Sequence, residues 1–113
     1  MDRKIKSFLF DIVTCIDEIH DFFDGQEIDL DSLLGDKKTV RAVERNLEII
    51  GEATRRILSS SPEISISNTK EIIGARNIIA HEYGTISYEI VIKIIKKHPP
   101  VLKKEAQLLL EDQ

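Results

Sequence analysis

The sequence predicts an all-α fold, an up-and-down bundle of four to five helices. Two observations predict it. Apolar residues recur at three- and four-residue steps over long stretches, the period of helices buried along one face. Aromatic residues make up only 5% of the chain and Trp is absent, so Ile and Leu supply the packing, which favours helix on helix over a β-sandwich. At 113 residues the chain is expected to form one domain, residues 1–113, around a single core.

The first helix spans residues 2–23, where Ile5, Phe8, Leu9, Ile12, Ile16, Ile19 and Phe23 form a broad apolar stripe. Gly25 stops it, and the acidic "DGQEIDLDS" that follows holds at most one short turn, over residues 30–34. Gly35 breaks the chain again and Asp36 is a natural N-cap. The second long helix covers residues 37–59, with Val40, Val43, Leu47, Ile50, Thr54 and Ile57 facing inward. "SSSPEISIS" is a loop; its "EISIS" alternates like a strand but is too short to build a sheet. Asn68 with Glu71 three residues on is an N-cap pattern for a third helix over residues 69–83, ended by Gly84. Ser87 caps a fourth helix carrying Ile90, Val91, Ile94 and Ile95. His98, Pro99 and Pro100 break or kink it, and an amphipathic segment resumes over residues 101–110. Gly51 and Gly74 lie inside strong helical patterns, each at a cost of about 1 kcal/mol against Ala, and are expected where helices approach closely.

Composition excludes several classes. With 42% hydrophobic and 32% charged residues the chain is globular, not disordered. "MDRKIKSFLF" lacks the apolar run and cleavage site of a signal peptide, and no segment approaches the roughly 20 apolar residues of a membrane span. A single cysteine, Cys15, excludes an intrachain disulfide and looks like core filling. A cytoplasmic location is expected, with no membrane partner. The net charge of -4 rules out a general polyanion binder, so any nucleic-acid contact needs a local basic patch. Lys93, Lys96, Lys97 and His98 with Lys103 and Lys104 form the most basic region, read first as solvated helix surface and second as an RNA-backbone track. His20 and His98 are expected at the surface.

"GARNIIAHEYG", residues 74–84, concentrates chemistry: Arg76, Asn77, His81, Glu82 and Tyr83 among apolar neighbours. At 100° per residue Asn77 and His81 share a face, whereas Arg76 and His81 diverge by about 140°. They can serve one ligand only at the helix edge or beyond an unwound last turn. Arg offers a planar fork for phosphate oxygens, and His titrates near neutral pH. Such a pair can cleave RNA without a metal, one group moving protons and the other neutralising phosphate charge. His20, His81 and His98 lie far apart, and no HExxH, CxxC or paired-carboxylate spacing is present, so no metal or other cofactor is expected. On chemistry alone, a capping His beside a surface Arg is the plainer reading.

Two blocks together resemble a known family. "RNIIAHEYG" has the form Arg-x4-His-x-Tyr, and "AVERNLEIIGEA", residues 42–53, precedes it at the usual separation. The pair resembles the HepT-like branch of the HEPN family (higher eukaryotes and prokaryotes nucleotide-binding domain), over essentially the whole chain. The loop "SSSPEISISNTKE" departs from the family's frequent Pro-Trp before the third helix.

The resemblance implies a HEPN-like bundle dimerising through the motif helix, and a metal-independent endoribonuclease toxin of a type VII-like toxin–antitoxin pair. Its RNA substrate would be tRNA. By the same resemblance Arg76 and His81 would be the catalytic pair, and Asn77 would orient His81 or bind substrate. Tyr83 would be the residue that a cognate minimal nucleotidyltransferase antitoxin modifies with AMP. Arg76 of one subunit would work beside His81 of the other. On the second helix Arg45, Glu48 and Glu52 line the cleft or hold its residues in one reading. In the other they join Arg41 and Glu44 on a solvated face with i,i+4 pairs. The alternative function is a non-catalytic HEPN-like module that binds a nucleotide or a partner protein.

Overall fold

The computed structural model describes residues 1–81 and 87–111, the side chains of residues 78–81 excepted. These residues form six helices and no strand: α1 (Arg3–Phe22), α2 (Leu30–Leu34), α3 (Lys37–Ser60), α4 (Thr69–His81), α5 (Tyr88–Lys97) and α6 (Pro99–Glu111). The fold is all-α, and the expected short turn at 30–34 is a helix of its own. The expected ends of the motif helix at residue 83 and its stop at Gly84 lie outside the described residues.

Aspartates start the first three helices, because a carboxylate ahead of the first turn satisfies an amide that has no partner within the helix. Asp2 accepts from Lys4 N at 2.6 Å, Asp29 from Ser32 N at 2.8 Å and Asp36 from Lys38 N at 2.9 Å. α1 ends where Asp24 and Gly25 take positive φ, 48° and 78°, a conformation glycine adopts without a side-chain clash. Ser87 occupies the N-cap of α5 but makes no side-chain bond there.

α1 and α3 pack along each other. Ile5, Leu9, Ile12, Ile16, Ile19 and Phe23 meet Val43, Leu47, Ile50 and Ile57 in one continuous buried cluster. Ile72 of α4, Val91 and Ile95 of α5, and Leu102 and Ala106 of α6 complete it. Across the main contact, Asn46 Nδ2 on α3 donates to the Cys15 carbonyl at 3.2 Å and to Glu18 Oε1 at 2.9 Å, which sets the rotation of α1 against α3. α6 returns along α1, where Lys103 pairs with Asp17 at 2.5 Å. Cys15 is core as expected, its thiol pushed up to about 11 by burial and then by Glu18 and Asp11.

Several expectations need correction. Asn68 sits at φ 60°, not in the extended conformation of an N-cap. The loop before α4 is held from α6 instead, where the Glu105 carboxylate accepts from Ser67 N at 3.0 Å and Ser67 Oγ at 2.8 Å. The last helix starts at Pro99, not residue 101, because a first-turn proline lacks only an amide that would have no helical partner. His98 is buried, 6% exposed, at the α5–α6 elbow, and its Nδ1 has no hydrogen-bond partner among the described residues. Glu44 is buried as well, 7% exposed, with Arg41 Nη1 3.6 Å from its Oε1. "EISIS" forms no strand; Ile64 and Ile66 pack against the core from the loop.

The two helical glycines differ. A Cβ built on Gly51 would collide with Cβ of Arg76 and stand 3.2 Å from the Ile72 carbonyl oxygen, so α3 and α4 touch backbone to side-chain stem. Gly74 has nothing within 4 Å of such an atom among the described residues, so packing among them does not explain it. Gly51→Ala is therefore expected to destabilise the fold by about 1–3 kcal/mol. Gly74→Ala is expected to stabilise it by up to about 1 kcal/mol. Urea unfolding of the two variants checks the contrast; equal effects would mean that the α3–α4 approach is looser than described.

Candidate functional site

The contact at Gly51 decides where Arg76 lies. With no side chain on Gly51, the Arg76 stem rests on α3 and its head reaches the next residue, Glu52. Arg76 Nη2 stands 3.7 Å from Glu52 Oε2, and Nη1 donates to Asn77 Oδ1 at 2.9 Å. The guanidinium is thus held on two sides, yet the side chain keeps 30% of its surface exposed.

Glu52 serves three cations. Arg55 donates to it from Nη2 at 2.6 Å and from Nε at 3.2 Å, and Arg56 Nε donates at 3.0 Å. Those hydrogen bonds, with the charges of Arg55 and Arg76, hold its carboxyl down at about 2, against an ordinary 4.5. One carboxylate among three guanidiniums leaves a positive excess in a protein whose net charge is -4. The excess is confined to this cluster, because the carboxylates of Asp11 and Glu48 share the adjoining cleft with Arg45, and a contact with a polyanion would be made at it. In the Lys93–Lys104 region His98 is buried and Lys103 is paired, while Lys93, Lys96, Lys97 and Lys104 are exposed.

Beside Arg76 opens a cleft of about 370 Å³. α1 contributes Phe8 and Asp11 to its wall; α3 contributes Arg45, Glu48 and Glu52 above an apolar floor of Ile49 and Ala53. Arg56 reaches back over Phe8, its guanidinium carbon 5.9 Å from the ring centroid. The structure therefore brings Arg45, Glu48, Glu52 and Arg76 together on one cleft, with Asn77 attached to Arg76. The backbone of His81 closes α4, but its side chain and all of Glu82 and Tyr83 lie outside the described residues. Among the described residues no three His, Cys, Asp or Glu side chains are grouped to hold a metal, and no helix is long and apolar enough to cross a membrane.

Sequence reasoning missed Arg55, Arg56, Phe8 and Asp11. The two arginines were findable, since they follow Glu52 at i+3 and i+4, the spacing of helical ion pairs. Nothing in the sequence reports that Phe8 and Asp11 face α3 at this height; that depends on the rotation of α1.

The chain as a whole is similar to known proteins. Residues 12–109 match the family described as ribonuclease HepT-like. A protein of Methanocaldococcus jannaschii named "Putative RNase MJ1380" is 38% identical over 109 residues, 95% of this chain and 97% of that one. "Probable ribonuclease HepT" of Thermococcus cleftensis is 35% identical over 113 residues, 96% and 98% of the two chains. "Putative RNase MJ0125" of M. jannaschii is 33% identical over 114 residues, 97% and 94%. No solved structure matches.

The Glu52 cluster yields a pH expectation. Its folded carboxyl lies below the ordinary value, so its contribution to stability is complete above about 4.5 and is lost as the pH falls through about 2. In a carboxyl-carbon NMR titration Glu52 is expected to titrate near 2. Replacing Arg55 and Arg56 together by Ala should raise that midpoint. A wild-type midpoint near 4.5 would show that the three arginines do not share Glu52 in solution.

Proposed function

The chain belongs to the ribonuclease HepT-like family, and from that premise we propose that it is a metal-independent endoribonuclease whose reacting pair is Arg76 and His81. The observation that carries the reading is the placement of Arg76. Its guanidinium is anchored on Glu52 and Asn77 beside an open cleft, in a chain aligned with named ribonucleases over nearly its whole length.

The chemistry follows from the two side chains. Neutral His81 removes the proton of a ribose 2'-hydroxyl, and the oxygen attacks the adjacent phosphorus. The bond from phosphorus to the 5'-oxygen breaks as the new one forms. The imidazolium then returns the proton to the departing 5'-oxygen. The products are a 2',3'-cyclic phosphate and a free 5'-hydroxyl, with no water consumed. Arg76 meets the charge that builds on the phosphate oxygens, and its anchoring on Glu52 and Asn77 reduces the reorganisation needed. Asn77 supports Arg76 through its Oδ1.

The protein acts as a homodimer in this reading, the motif helices facing each other so that Arg76 and His81 from different subunits serve one phosphate. It is the toxin of a pair with a minimal nucleotidyltransferase antitoxin, and tRNA is its substrate. Transfer of AMP to Tyr83 would add bulk and negative charge to a site that receives RNA phosphate, and repel it. Arg45, Glu48 and Glu52 support the site from α3.

In EDTA, unmodified protein is expected to cleave a mixed tRNA pool and leave 2',3'-cyclic phosphate ends. His81→Ala and Arg76→Ala should each lower the rate by at least about 100-fold without loss of helix content by circular dichroism. Undiminished cleavage by His81→Ala would remove the proposed mechanism. A wild type that fails to cleave, shown by mass spectrometry to be free of AMP and by light scattering to be dimeric, would remove the activity itself.

A further inference from the structure

We propose that the cleft between α1 and α3 is a nucleobase subsite for the nucleotide adjoining the cleaved phosphate: Phe8 and Arg56 form its stacking platform, and Glu48 and Arg45 contact the base edge. The inference rests on the ribonuclease reading of Arg76, which stands on the rim of the same cleft.

The cleft is the right kind of space. About 370 Å³ falls within the range of small-molecule sites and is enough for one unpaired base. Its walls offer planar groups. Phe8 is half-buried, with the Arg56 guanidinium 5.9 Å from its centroid, and Arg56 is restrained because its Nε donates to Glu52 at 3.0 Å. Aromatic rings and guanidinium planes are the surfaces on which single-stranded bases stack.

The polar groups point away from a simple phosphate pocket. Arg56 and Arg76 are engaged by Glu52, but Arg45 and Glu48 have no hydrogen bond or ion pair among the described residues. They stand three residues apart on α3, one a charged donor and the other a charged acceptor. Two further carboxylates, Asp11 and Glu52, share the wall, which would repel a phosphate lodged at its centre. A base edge carries donors and acceptors together and suits this mixture. Guanine suits it best, because N1–H and N2–H are adjacent donors for the two oxygens of Glu48, while O6 accepts from Arg45. The attached phosphate then falls toward Arg76, the cation on the rim of the cleft.

The test is binding of short single-stranded RNA made uncleavable by a 2'-O-methyl at the attacking hydroxyl. The base on either side of that phosphate is varied through G, A, C, U and an abasic residue. Fluorescence anisotropy on the wild-type protein is expected to show a loss of roughly 5- to 100-fold for the abasic residue at one of the two positions. Guanine should exceed the other bases there by about tenfold. Phe8→Leu should bind abasic and intact RNA alike, and the isosteric Glu48→Gln should flatten the preference for guanine without altering helix content.

Binding indifferent to the base, or wild-type discrimination retained in both variants, overturns the subsite. So does dissociation of the dimer by Glu48→Gln, which would make the cleft a protein–protein surface. The two readings fail separately. Cleavage of ordinary RNA with base-independent binding retires the subsite alone. Base-dependent binding that Phe8→Leu and Glu48→Gln erase supports the subsite even where no RNA is cut.

Discussion

The approach of α3 and α4 at Gly51 is the constraint on which the candidate site depends. No side chain larger than hydrogen fits there, because the stem of Arg76 fills the place of the missing Cβ. The consequence is geometric. The stem of Arg76 lies against α3, and the neighbouring carboxylate of Glu52 stands 3.7 Å from its head. A glycine that weakens its own helix locally lets another helix approach closely.

From that contact follows the electrostatics of the surface. An acidic protein attracts a polyanion only through fields that act at short range, since charges farther apart than about 10 Å are screened by salt. Glu52 makes a dense cluster of cations possible. It takes hydrogen bonds from Arg55 and Arg56 and the charge of Arg76, so three guanidiniums stand close without full mutual repulsion. The carboxylate balances one of them, and Asp11 and Glu48 on the adjoining cleft limit how far the positive field extends. The same bonds limit how far each arginine can swing.

The rest of the bundle serves as a frame for these two helices. α1 supplies one wall of the cleft, and its rotation is fixed by the buried Asn46 amide, bonded to the Cys15 carbonyl and to Glu18. Without that link the stripe of isoleucines would tolerate small rotations, since apolar packing is not directional. α6 packs along α1 and also reaches the loop before α4 through Glu105 and Ser67, so the start of the motif helix is held by the last helix of the chain. His98 and Pro99, buried at the elbow between α5 and α6, let α6 turn back along α1.

The sequence by itself determined the helices, most of their ends and the residues of the core. Helical periodicity is a local signal, and Val43, Leu47, Ile50, Thr54 and Ile57 carry it for α3 as plainly as the aspartate caps mark where helices begin. It also marked Arg45, Glu48, Glu52, Arg76 and Asn77 as candidates, through motif spacing and through residue types whose chemistry is the same in any fold. Only the tertiary structure decided which of them meet. Arg76 and Glu52 are far apart in the chain, and their encounter depends on the depth to which two helices pack, a property no single helix encodes. The burial of His98 and Glu44 and the arrival of Phe8 and Asp11 at the cleft have the same origin. Each depends on how a helix is rotated against its neighbours, which is settled by the whole core at once.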